Sequence, residues 1–183
     1  METAVKTPVK TKWTLDPAHS ELTFKVRHMM ITNVKGDFRK FDVEVLSDGD
    51  DFATSKIDVT IDAASISTND EKRDGHLKSE DFFDIEKHPT LNFKGRSLEK
   101  RDGEYKLTGV LTIKGISKDI ELDVDFGGVN KDPWGNEKAG FSLEGKINRK
   151  DFGLNWNAAL ETGGVLVSDE VKLSAEVQLV KQV

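Results

Sequence analysis

Cysteine is absent from the 183 residues, which excludes disulfides, thiolate zinc sites, a cysteine nucleophile and a lipid-modified cysteine anchor. No apolar run approaches the roughly 18 residues that a membrane-spanning helix needs. Positive charge is in deficit: 27 Lys and Arg stand against 33 Asp and Glu, a formal net charge of −6. An acidic chain of mixed signs lacks the basic footprint that neutralises nucleic-acid phosphates, and charge alone would not hold it on anionic lipid. Met1–Lys12 alternates Lys with Thr, Val, Pro and Ala and contains no apolar core of a secretory signal. A cytoplasmic location is therefore expected, or a periplasmic one if a signal has been replaced. Nucleophile-elbow, Walker and Gly-x-Gly-x-x-Gly signatures are missing, as is His-Glu-x-x-His. The four histidines, His19, His28, His76 and His88, have no metal-ligand spacing, so neither a metal nor a cofactor is expected.

What is present is a period of two. Leu22, Phe24, Val26 and His28 share one face, with Glu21, Thr23, Lys25 and Arg27 on the other. The same alternation runs through Ile57–Ala63, Tyr105–Ile113, Ile120–Phe126, Phe141–Ile147 and Val171–Leu179. Strict alternation marks half-buried antiparallel strands. With the Val34–Val45 and Thr90–Gly95 stretches it gives about eight strands. Ser47–Asp50, Arg101–Gly103, Lys114–Ser117 and Asp132–Gly135 supply turns between them, as in a meander.

Inward parity changes between Val34-x-Gly36-x-Phe38 and Phe41-x-Val43-x-Val45, which calls for an extra residue or turn near Arg39 and Lys40; a β-bulge is the simplest device. Gly36, Ala63, Gly95, Gly109, Ala139, Gly145 and Ala175 carry little or no side chain at inward positions. Such residues bend strands into a barrel and leave interior volume unfilled, unless they are kinks alone. Helix-like insertions are expected at Asn69–Ile85 and Asn148–Leu154. Thr68-Asn69-Asp70-Glu71 fits a capping box, and Ser79 fits a cap of a turn presenting Phe82 and Phe83 inward.

Asp16, His19 and Ser20 put an acid, a base and a hydroxyl close together. Triad members normally converge from separate elements, and a turn in which Asp16 and Ser20 bond the backbone explains the same residues. His28 ends an apolar face, either as hydrogen-bonded structure or at the mouth of a barrel. Arg73, Asp74 and His76 read as a local charge cluster fixing a lid on the barrel end.

Asp16-x-x-His19-Ser20-x-x-x-Phe24-x-Val26-x-His28 resembles the opening of the YceI family of bacterial polyisoprenoid-binding proteins. Arg73-Asp74-x-His76-Leu77-x-Ser79-x-Asp81-Phe82-Phe83, then His88-Pro89, resembles that family's central motif, and Arg149-Lys150-Asp151-Phe152-Gly153-Leu154 its third. The resemblance implies an all-β, eight-stranded antiparallel lipocalin-like barrel with short helical insertions. Residues 1–12 would be a flexible segment and 13–183 a single domain. It implies a long-chain lipid partner (a polyisoprenoid, quinone-like molecule or fatty-acid derivative) held in an apolar channel for transport, storage or sequestration, often in a homodimer.

From inward parity and the motifs, the expected ligand-binding residues are Phe24, Val26, His28, Phe38, Ala63, Phe93, Leu111, Ile113, Phe141 and Ala175, with Arg73, His76, Phe82, Phe83 and Trp156. No catalytic residue is assigned. Two other classes stay open: an enzyme acting on a lipid or quinone with a histidine general base, and a filled barrel serving as a structural or stress-response partner.

Overall fold

The computed structural model describes residues 10–158, 160 and 166–182. Its strands are β1 (Thr11–Leu15), β2 (Glu21–His28), β3 (Thr32–Phe38), β4 (Phe41–Asp48), β5 (Asp51–Asp62), β6 (Ile66–Ser67), β7 (Thr90–Arg101), β8 (Glu104–Ile113), β9 (Ile116–Lys131), β10 (Glu137–Asn148) and β11 (Val167–Lys181), with one helix, α1 (Glu71–Lys78). All strand pairs are antiparallel, and β1 bonds both β4 and β11, which closes the sheet on itself. Closure gives every strand path a partner on both sides, although β5 and β7 pair only over Ile57–Asp62 and Thr90–Gly95.

The segments follow eight strand paths because three paths are broken. β1 and β2 are one path interrupted by the 3-10 turn Pro17–His19: Leu15 faces Leu179 on β11, and Glu21 resumes opposite Glu176. β3 and β4 are a second path, and β5 and β6 a third. Thr11 and Lys12 already lie in β1, earlier than the expected domain boundary. The rest of the expected flexible segment, residues 1–9, falls outside the described residues.

The parity change near Arg39 is real, but its device differs from the expected single-residue bulge. Arg39 and Lys40 leave the strand together, and the neighbouring path inserts a matching 3-10 turn, Ala63–Ser65. Arg39 N–H donates to Ser65 O, while Lys40 O accepts from Asp62 N–H and the Ser65 hydroxyl. The corner thus keeps its backbone groups paired while Phe38 and Val43 both point inward.

The helical insertions are shorter than expected. Asp70, not Thr68, caps α1, accepting from Lys72 and Arg73 N–H at 3.1 Å each. The Thr68 hydroxyl instead bonds Asp74 at 2.6 Å and Arg73 Nε at 2.8 Å. At Asn148–Leu154 only Arg149–Phe152 turns, as a 3-10 element ended by left-handed Gly153.

The meander sends the β2–β3, β6–β7, β8–β9 and β10–β11 connections to one end of the barrel, called here the helical end. The β4–β5, β7–β8 and β9–β10 connections lie at the other. That far end is closed by aromatics. Phe52 meets Trp13 at 5.2 Å, Phe141 at 5.1 Å and Phe126 at 5.5 Å between ring centroids. Trp13 is fully buried and donates Nε1–H to the Ser47 hydroxyl at 2.8 Å, so the ring is held without an orphaned donor.

Candidate functional site: an apolar cavity with one polar end

The barrel encloses a cavity of about 620 Å³. Ligand sites in proteins commonly measure roughly 300–1,000 Å³. Side chains from every strand path of the barrel border it. The space is therefore a built feature of the fold.

Its wall comes from the inward faces of the strands. β2 contributes Phe24, Val26 and His28, β3 contributes Phe38, β7 Phe93, β8 Leu111 and Ile113, β10 Phe141, and β11 Ala175. Arg73 and His76 reach it from α1, Phe82 and Phe83 from the segment after α1, and Trp156 from the β10–β11 connection. Ala63 does not border it. This residue is fully buried in the corner turn, its N–H bonded to Pro89 O at 3.0 Å. Parity counted from Ile57 carries Ala63 inward, but the strand ends at Asp62 and the period of two ends with it.

Several inward glycines do not supply the open volume either. The Phe24 ring covers Gly36, the Phe93 ring lies 2.6 Å from where a Cβ on Gly109 would stand, and Leu122 covers Gly145. These glycines make room for a neighbour's side chain.

Phe52, Leu154, Leu166 and Val167 also border the cavity and were not legible in the sequence. Phe52 points inward only because Asp51 pairs with Asp48 while Lys56 pairs with Leu46, a register slip that no alternation marks. The other three lie at or beside a connection without a period.

The charged groups of the wall, Arg27, Asp70, Lys72, Arg73 and Arg149, are all at the helical end, with His28 and His76. Backbone N–H donation from Arg73, chiefly, holds the Asp70 carboxyl below its ordinary value. Arg149 is only 3% exposed, and burial pushes its guanidinium below the usual arginine value. It donates to Ser168 O at 2.9 Å, Leu154 O at 2.5 Å, Trp156 O at 2.8 Å and Val167 O at 3.3 Å. Arg149 thereby ties residues 154–156 of the β10–β11 connection to the start of β11, beside the cavity. That connection brings Trp156 against His76, at 4.6 Å between rings and nearly perpendicular, and His76 Nε2 meets Asp81 Oδ2 at 2.8 Å.

The Asp16–His19–Ser20 group is a turn. Asp16 accepts from Ala18 N–H, Lys138 Nζ and His19 Nδ1, while the Ser20 hydroxyl accepts from Gln178 N–H at 2.9 Å. None of the three borders the cavity. Among the described residues no group of three or more His, Asp or Glu side chains is placed to hold a metal ion. No described helix is long and apolar enough to cross a membrane.

The YceI-like domain matches residues 13–179 of this chain. A UPF0312 protein of Staphylococcus aureus (strain N315) is 44% identical over 169 residues, covering 92% of this chain and 96% of that protein. The crystallised YceI protein of Campylobacter jejuni is 40% identical with a TM-score of 0.72, covering 92% of this chain and 97% of that one. A domain from Saccharophagus degradans described as polyisoprenoid binding shares the fold, with a TM-score of 0.67 at 13% identity, over 93% of this chain and 98% of that one.

Proposed function

The chain belongs to the YceI-like domain family, and we propose that it binds one long-chain isoprenoid or similar amphiphile in the barrel, for transport, storage or sequestration. The observation that carries this reading is the distribution of polarity along the cavity. The far end is closed by the aromatics around Phe52, and every charged wall residue is at the helical end. A prenyl or alkyl chain has no hydrogen-bonding group to satisfy, so it suits the apolar length, with its polar head among Arg27, Arg73 and His76. The polyisoprenoid binding attributed to the Saccharophagus degradans domain accords with that chemistry. Burying several hundred Å² of chain gains on the order of ten kcal/mol gross at roughly 25 cal/mol per Å². Association and ordering offset part of it, and the remainder keeps ligand bound through purification.

Organic extraction of the purified protein followed by mass spectrometry is the test. A single class of long-chain amphiphile near one equivalent is the expected result; an extract free of lipid from protein that also fails to take up an added prenyl alcohol would end the reading. The homodimer implied by the family resemblance belongs to the same proposal and is checked by sedimentation.

A second reading, an enzyme acting on the bound lipid or quinone, is favoured by one observation. His76 borders the cavity with its Nε2 hydrogen-bonded to Asp81, and with the ring proton on Nε2 the Nδ1 lone pair would serve as the general base. Ligand recovered chemically unaltered after prolonged incubation would remove it.

A further inference from the structure

Met29, Met30 and Ile31 form the tip of the β2–β3 hairpin, and they are 43%, 51% and 73% exposed. Two features of this tip conflict with what a solvent-facing turn selects. Consecutive apolar side chains point into water, and both methionines hold left-handed backbone, with φ of 53° and 66°. Asn and Gly take that conformation at little cost in tight hairpins, whereas a long side chain there is strained. The tip is held in this state from both sides. Met29 N–H donates to Leu166 O at 2.8 Å, Ile31 N–H to His28 O, and the Arg27 guanidinium to Met30 O at 3.1 Å. Arg27, His28 and Leu166 are also cavity-wall residues, so the tip and the cavity mouth are one structure. Ile116, another exposed apolar residue, opens β9 beside the β8–β9 turn at the same end.

We propose that this tip docks the helical end on a lipid bilayer, its three side chains entering the acyl boundary and Arg27 lying at phosphate depth. The docked cavity mouth then faces the lipid, and a long apolar chain passes between membrane and barrel without crossing water. The cargo rests on the lipid-binding reading above; the adhesion does not. A chain with a net charge of −6 has little general attraction to anionic lipid, so contact depends on apolar insertion more than on surface charge.

The test uses the full chain, phosphatidylcholine vesicles and a prenyl alcohol. Met29→Asn/Met30→Gly/Ile31→Glu removes the apolar tip and suits the left-handed backbone, so it should fold with a raised melting temperature. Flotation with vesicles should fall at least tenfold. Loading of prenyl alcohol from vesicles should slow at least tenfold, while loading from detergent solution stays at the parent rate. Trp134→Glu, at the far end, should change neither. A parent that does not float, or a triple variant that floats and loads from vesicles like the parent, overturns the docking. So does a triple variant whose oligomeric state changes, since the tip would then seat a second copy. If the parent floats but takes up no prenyl alcohol from either source, the lipid-binding reading fails while the docking stands.

Discussion

Phe24 and Gly36 face each other across the β2–β3 pair, and the Phe24 ring occupies the space that a side chain on Gly36 would need. The ring is thereby laid along the wall, where it meets Phe38 at 5.6 Å and borders the cavity. Gly36→Ala should displace it and cost about 1–3 kcal/mol through overpacking, read from urea unfolding. Phe24→Leu in the same chain should recover part of the loss. Simple additivity of the two changes would show that the ring and the glycine are not coupled.

Ala175 pairs with Leu143 on β10 and Leu22 on β2, and all three border the cavity. A phenyl group at 175 would extend from a small wall residue toward the cavity and adds no polar atom. Ala175→Phe should keep near-parental stability and lose co-purifying lipid. A drop of about 1–3 kcal/mol would mean that this part of the interior is packed; stoichiometric lipid in a stable variant would remove Ala175 from the binding surface.

Arg149 satisfies the Leu154 and Trp156 carbonyls of the β10–β11 connection and the Ser168 carbonyl of β11 from a buried position. Arg149→Met keeps the stem but orphans those carbonyls, so unfolding free energy should fall by about 2–4 kcal/mol. Arg149→Lys should not restore it, because a single ammonium cannot reproduce the guanidinium fork. Tryptophan fluorescence in the absence of denaturant should also change, since the stretch that carries Trp156 is released, and the change should vanish in a Trp156→Phe background. Parental stability for Arg149→Met would contradict this account.

The Asp16 carboxyl is held below its ordinary value of 3.8, chiefly by the hydrogen bond from Lys138 and then by His19. A carboxyl depressed by folding contributes stability that is present above its unfolded value and is lost as pH falls through its folded one. Lys138, raised above 10.5 chiefly by the same bond, contributes below 10.5 and loses that contribution as pH rises past its folded value. Asp16→Asn should therefore flatten the stability curve of the parent both below about pH 4 and above about pH 10. Identical curves would show that the pair is not linked to folding.

Extensive dialysis against a chelator should leave the melting temperature and prenyl alcohol uptake unchanged, given that no described cluster of His, Asp or Glu suits a metal. Stoichiometric zinc or iron, lost together with uptake on dialysis, would show a metal site assembled from distant residues.

The amino-acid sequence by itself determined the barrel. A period of two survives any rearrangement of neighbours, because successive side chains on a strand must point to opposite faces. Phe24, Val26, Phe93, Leu111 and Phe141 could therefore be assigned to the interior from their own parity, and they line the cavity. The turn residues set the order of the meander for the same local reason. What only the tertiary structure decided lies where the period stops. Ala63 left the wall because a 3-10 turn replaced the strand, and Phe52 joined it through a register slip. The volume over Gly36, Gly109 and Gly145 went to rings and methyls from other strands. The collection of Arg27, Arg73 and Arg149 at one end required closure of the sheet, which brings connections far apart in sequence to the same rim. Alternation states which way a side chain points; only packing states what already occupies the space in front of it.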